Sequence, residues 1–118
     1  MHRDHRLYLD DILDAIDRIE DYVQGMDETG FGSDRKTQDA VIRNLEIIGE
    51  AARNLPDKMK AETPEIEWHK ITGLRNILAH EYFGVNLPIV WDVVRNKLEP
   101  LKQASMKILQ KKENTLKA

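Results

Sequence analysis

Leu9-Asp10-Asp11-Ile12-Leu13-Asp14-Ala15-Ile16-Asp17-Arg18-Ile19-Glu20-Asp21-Tyr22-Val23 decides the fold class. Its apolar residues Leu9, Ile12, Ile16, Ile19, Val23 and then Met26 fall at alternating intervals of three and four. A helix turns about 100° per residue, so that spacing puts them on one stripe, the seam of an amphipathic helix. Asp10, Asp14, Asp17 and Asp21 form a second stripe on another face, and such a stripe of like charge reads as a solvated surface. Gly25 to Gly32 is then expected to be a loop, with Ser33 or Asp34 capping the next helix.

The same arithmetic holds further along. Val41, Leu45, Ile48, Ala52 and Leu55 make a second seam, and Ile42, Ile47 and Ala51 widen it enough for two neighbours. Gly49 interrupts this helix at a cost of about 1 kcal/mol relative to Ala, which points to close approach of another backbone. Pro56 and Pro64 bracket a segment of at most two turns. Trp68 opens a third helix that is expected to end near Gly84. Asn86 with Pro88 starts a last one, whose seam is Trp91, Val94, Leu98, Leu101 and Ile108. Pro100 should kink or split it, because proline lacks the backbone donor and its ring clashes with the preceding turn. From Gln110 the apolar period lapses and fraying is expected. No strand alternation occurs, so the chain reads as all-α: an up-and-down bundle of four long helices plus a short one. One domain spans residues 1–110, with a basic tail over 111–118.

Composition narrows the chemistry. The 118 residues include no cysteine, which removes thiol catalysis, thiolate metal sites and disulfides and fits a cytoplasmic home. No apolar run approaches a membrane span, and the first residues do not read as a signal peptide. The net charge of −3 conceals a gradient. Residues 1–34 carry ten acidic and three basic side chains, whereas residues 95–118 carry seven basic and two acidic ones. The basic end is either a solubilising surface or an electrostatic footprint for nucleic acid or an acidic partner.

The third helix carries the chemistry. Leu74-Arg75-Asn76-Ile77-Leu78-Ala79-His80-Glu81-Tyr82-Phe83 sets a permanent cation, an amide, an imidazole and a phenol in an apolar frame. Asn76 and His80 are four apart and share a face, so the Asn carbonyl can fix the His tautomer. Arg75 and Tyr82 share another stripe, and Arg75 and His80 lie about 140° apart around the axis. One helix brings Arg75 and His80 together poorly; two copies across a two-fold axis do it well. In such a cleft RNA can be cut by its own 2′-hydroxyl without a metal. His80 would move the proton and Arg75 would grip the phosphate oxygens as charge builds. The residues by themselves leave two other readings open: a non-catalytic helical module that binds nucleotide beside a nucleotidyltransferase, and a plain dimerisation domain. Glu46 and Glu50, one turn apart on the second helix, are candidates to orient Arg75. His2 and His5 are weak candidates for metal binding, and Trp68 and Trp91 are expected to be core or interface aromatics.

Arg75-Asn-Ile-Leu-Ala-His80-Glu-Tyr82 resembles the signature of HEPN-domain proteins: Arg, four residues, His, any residue, Tyr. It is similar in particular to the HepT toxins of prokaryotic toxin–antitoxin pairs. Asn44-Leu-Glu-Ile-Ile-Gly-Glu-Ala-Ala52, Trp68-His-Lys-Ile-Thr-Gly-Leu-Arg75 and the run from Val85 to Trp91 extend the likeness over most of the chain. The resemblance implies a homodimeric, metal-independent endoribonuclease of a type VII-like toxin–antitoxin system, with its active site at the dimer interface. Arg75 and His80 match the catalytic pair, and Asn76 matches the polar residue beside the Arg. Tyr82 matches the acceptor of AMP from a cognate MntA-type nucleotidyltransferase antitoxin. The ATP and magnesium of that modification would serve the antitoxin, so the chain itself is expected to need no cofactor or metal. The implied substrate is tRNA or mRNA.

Overall fold

The structure is a computed structural model that describes residues 3–80 and 86–117, the side chains of residues 75–80 and 112–117 excepted. Among the described residues the chain forms seven α-helices and one π-helical turn: α1 His5–Val23, α2 Glu28–Gly32, α3 Arg35–Arg53, α4 Asp57–Lys60, α5 Trp68–His80, α6 Leu87–Asp92, the π turn Val93–Lys97, and α7 Leu98–Lys117. The four longer helices build the all-α, up-and-down bundle that the periodicity predicts.

Helices α1 and α3 follow their seams. Leu9, Ile12, Ile16 and Ile19 are fully buried, as are Val41, Leu45, Ile48 and Ala52. Each such Leu, Ile or Val side chain contributes roughly 1.5–3 kcal/mol by leaving water. Both helices begin at an aspartate whose side chain satisfies an otherwise orphan backbone donor. Asp4 accepts from the Arg6 N–H at 2.9 Å, and Asp34 accepts from the Thr37 N–H at 3.1 Å and its hydroxyl at 2.8 Å. α1 packs on α3 and α7, and α3 packs on α1 and α5. Across the bundle the order is therefore α7, α1, α3, α5. Gly49 is buried on α3, the helix that α5 packs against.

The loop expected over 25–32 contains α2. Gly25, at φ 77°, turns the chain out of α1, a left-handed conformation that costs glycine nothing. Asp27 then caps the short helix through the Gly30 N–H at 2.7 Å. Phe31 is the reason the segment orders: it is buried and meets Trp91 of α6 with ring centroids 5.2 Å apart. The Gln38 amide ties it down by donating to the Phe31 carbonyl at 2.8 Å. Between the prolines, α4 is a single turn that buries Met59.

The final helix departs from a simple kink. Asn86 caps α6 through the Ile89 N–H at 3.2 Å, as its spacing from Pro88 predicts. The disturbance caused by Pro100 appears one turn earlier, as the π turn. In an α-helix the carbonyl of Asn96 would meet a proline ring and find no N–H; widening the preceding turn to the π form relieves that conflict. α7 then runs to Lys117, past the fraying expected from Gln110. Lys111, Lys112, Glu113, Leu116 and Lys117 are all good helix formers, so intrinsic propensity carries the helix beyond the end of its seam.

Candidate functional site

α5 is held at its start by a buried hydrogen bond. Trp68 Nε1 donates to the Thr63 hydroxyl at 2.9 Å, and both residues are buried. Ile71 joins the core one turn later and Leu74 packs against its edge. The indole thus fixes the start of α5. Arg75, Asn76 and His80 all lie on α5. In α-helical register Asn76 and His80 are one turn apart, and Arg75 and His80 are separated by about 7.5 Å of rise. Their side chains lie outside the described set, and Tyr82 lies outside the described residues altogether.

The two carboxylates that are candidates to orient Arg75 are on α3, the neighbour of α5. Glu46 forms an ion pair with Arg43 at 3.8 Å. Glu46 and Glu50 help line an open polar cleft of about 510 Å³, together with Arg3, Tyr8, Asp11 and Arg43. In it Arg3 grips Asp11 at 2.7 Å and lies over the Tyr8 ring at 4.7 Å. No sequence motif marks this face; a Tyr8–Asp11–Arg43 grouping becomes visible only once α1 and α3 are packed.

The charge gradient is partly consumed within the fold. Lys102 of α7 reaches both Asp17 and Glu20 of α1 at 3.5 Å. Glu20 and then Asp17 hold the Lys102 ammonium above its ordinary range. Lys111 lies 3.6 Å from Glu62, and Asp14 pairs with Arg18 at 3.3 Å. Among the described residues no group of three or more metal-ligating side chains stands together, the aspartate stripe included. His5 instead stacks on Tyr8, with ring centroids 6.5 Å apart. Nor is any helix among the described residues long and apolar enough to cross a membrane. Trp68 and Trp91 are both buried, so neither offers a free stacking face.

A second cleft, of about 230 Å³, opens beside the start of the motif. Ile66, Ile71 and Leu74 wall it on the α5 side; Val93, Pro100 and Leu101 wall it on the other. Glu65, Glu67, Lys70, Asn96 and Lys97 add polar groups. Glu67 meets Lys70 at 2.9 Å, and that contact holds its carboxyl below the usual range. Motif reasoning overlooks this cleft because the π turn that forms one wall has no local sequence signal beyond Pro100.

Residues 12–108, from the first seam to Ile108 of α7, match the ribonuclease HepT-like family. The chain belongs to that family. The match covers all of α5, and with it Arg75, Asn76 and His80. Among HepT-like relatives, a Thermococcus cleftensis protein named "Probable ribonuclease HepT" is 44% identical over 102 residues, covering 86% of this chain and 93% of its own. A Methanocaldococcus jannaschii protein, named for a gamma-glutamylcyclotransferase and a candidate RNase, is 40% identical over 110 residues. That match takes in 93% of this chain but only 50% of the relative, so the chain spans half of that protein's length. In structure the chain is similar to a tri-AMPylated HEPN toxin of Shewanella oneidensis, solved in complex with an MNT antitoxin. The TM-score is 0.66 at 30% identity, over 92% of this chain and 98% of that one. The HEPN resemblance read from the motif and its flanks therefore holds across the fold.

Proposed function

We propose that the chain is the toxin of a toxin–antitoxin pair: a cytoplasmic endoribonuclease that works as a homodimer without a metal and is silenced by AMP attached to Tyr82. One observation carries this reading: the family match, over residues 12–108, spans α5, the single helix bearing Arg75, Asn76 and His80. Helical geometry supports the dimer. Residues five apart on one helix diverge by about 140°, so a site that uses both Arg75 and His80 is best completed by a second copy.

In this mechanism His80 takes the proton of the 2′-hydroxyl or delivers one to the departing 5′-oxygen. With an ordinary pKa of about 6.5, imidazole can do either near neutrality. The 2′-oxygen attacks the adjacent phosphorus, the P–O5′ bond breaks, and a 2′,3′-cyclic phosphate remains. Arg75 binds the non-bridging oxygens as they gain charge, two parallel N–H donors suiting two phosphate oxygens. Asn76 orients the imidazole, and Glu46 or Glu50 is the candidate to orient Arg75. A phosphodiester on Tyr82, seven residues after Arg75 in the sequence, would add charge and bulk where the RNA phosphate belongs. The AMPylated state of the Shewanella toxin and its MNT antitoxin support that reading of Tyr82. A nucleotidyltransferase antitoxin using ATP and magnesium is the corresponding partner.

The test is incubation of purified protein with tRNA and mRNA in EDTA. Wild type is expected to cut, DNA of the same sequence to stay intact, and His80→Ala to lose cutting. Uncut RNA with unmodified wild type, or undiminished cutting by His80→Ala, refutes the proposal. Intact mass after incubation with the antitoxin and ATP should rise in steps of roughly 329 Da, the mass of an added AMP unit. Those steps should vanish in Tyr82→Phe.

A further inference from the structure

We propose that the cleft between α5 and the π turn receives an unstacked base of the RNA strand, next to the phosphate that Arg75 would hold, and prefers a base bearing an exocyclic amine over uracil. This inference rests on the ribonuclease reading and adds a specificity subsite to it. Location is the first argument. Leu74 walls the cleft and Arg75 follows it on α5, about 1.5 Å of helical rise further on. Arg75 is turned about 100° around the axis from Leu74, so a base lodged in the cleft lies on the neighbouring stripe of the same helical turn.

Chemistry is the second argument. A nucleobase has apolar faces and polar edges, and proteins that read single-stranded RNA hold the faces against apolar surface and bond the edges. The cleft has the same layout, with Leu74 and Ile71 facing Val93 and Pro100 across it and polar groups among them. Glu65 and Glu67 are balanced by Lys70 and Lys97, so the lining as a whole does not attract a bare phosphate. It suits a neutral, planar group whose edge can meet charged partners. Carboxylates only accept hydrogen bonds when ionised, and Glu67 stands at the cleft paired with the Lys70 ammonium at 2.9 Å. Cytosine, adenine and guanine present an exocyclic amine to such an acceptor; uracil has none, and its one edge donor, N3–H, is flanked by two carbonyl oxygens that a carboxylate repels.

The third argument is the π turn itself. It supplies Val93, Asn96 and Lys97 to the cleft, and π turns inside helices recur at functional sites because they re-aim side chains. Asn96 is exposed and its amide donates to Asp92 at 2.7 Å, which braces the side chain at the rim.

The experiment is an NMR titration of the whole chain with cytidine and uridine 5′-monophosphates, on wild type, Asn96→Trp and Glu67→Gln. Cytidine monophosphate is expected to move the amide signals of Lys70, Ile71, Leu74, Asn96 and Lys97 saturably and to bind about tenfold tighter than uridine monophosphate. Asn96→Trp, at an exposed position, should fill the cleft and abolish those shifts. Glu67→Gln should keep binding and lose most of the discrimination. Shifts confined to other residues, equal affinity for the two nucleotides, or full binding by Asn96→Trp would overturn the inference. So would sedimentation showing that Asn96→Trp separates copies of the chain, which would make the cleft a subunit contact. The cutting assay in EDTA separates the two claims. Cleft binding without cutting refutes the ribonuclease reading and leaves the base site standing. Cutting without cleft shifts does the reverse.

Discussion

Helices α3 and α5 pack against each other and are built on opposite rules. α3 has an aspartate cap, a clean seam and an interior face where Leu45 and Ile48 are wholly out of water. Its apolar seam is explained by where it sits. α5 is shorter, and it carries Arg75, Asn76 and His80 in succession along a helix whose neighbours are apolar. Cations, amides and imidazoles are not what a core selects for, so the residue types of α5 are not explained by packing alone. One helix supplies stability, and the other accepts residues that stability alone would not choose.

Four substitutions put that contrast at risk, beginning with the largest effect. His80→Ala should lower the rate of RNA cutting by at least about 100-fold, the usual scale for a lost proton-transfer group. Its urea midpoint should stay close to wild type. A large fall in stability instead would make His80 a packing residue and erase the contrast. Leu45→Ala on α3 should do the opposite, destabilising the fold by roughly 2–5 kcal/mol in urea unfolding through lost burial and a cavity. The fraction still folded should cut RNA at the normal rate per molecule.

Gly73→Ala tests α5 from the other side. Among the described residues a methyl group there meets nothing within 4 Å, so the change should stabilise the helix by about 0.5–1 kcal/mol. A gain in thermal midpoint with unchanged cutting leaves Gly73 facing solvent. A loss of self-association in sedimentation would show instead that a second copy covers this face.

The smallest effect is electrostatic. The Thr37 N–H and hydroxyl hold the Asp34 carboxyl below its ordinary value of 3.8. A depressed carboxylate pKa contributes stability that is present above the unfolded value and lost as pH falls toward the folded one. Asp34→Ala should therefore be slightly less stable than wild type at pH 7. The two urea midpoints should converge as pH drops below about 4. A gap that persists at pH 2 would mean that Asp34 acts through shape rather than charge. Asp4, pushed down to about 2 by the Arg6 side chain and then its backbone N–H, should behave alike over a window reaching lower.

Much of the fold is legible along the chain because helices encode themselves locally. The seams of α1 and α3, the caps at Asp34 and Asn86, and the start of α5 at Trp68 depend on residues three or four apart. α2 is not legible. Five residues around two glycines form a helix only because Phe31 finds Trp91, a partner sixty residues away in sequence. The π turn is similar: Pro100 announces a disturbance, but its form and place depend on how α6 and α7 sit on the core. At the candidate site the sequence supplies Arg75, Asn76, His80 and Tyr82 through their spacing. The cleft beside Leu74 has no such signal, since its two walls come from segments about twenty residues apart.

The helical class, the two long seams and the set of reactive groups on one helix come from the amino-acid order alone, because each rests on a local period or on side-chain chemistry. Packing in three dimensions settled the rest: that Lys102 closes on the acidic face of α1, that α2 exists, and that a cleft opens between Leu74 and the π turn. Those features depend on which surfaces meet, and meeting is settled by burial summed over the whole chain rather than by any one stretch of it.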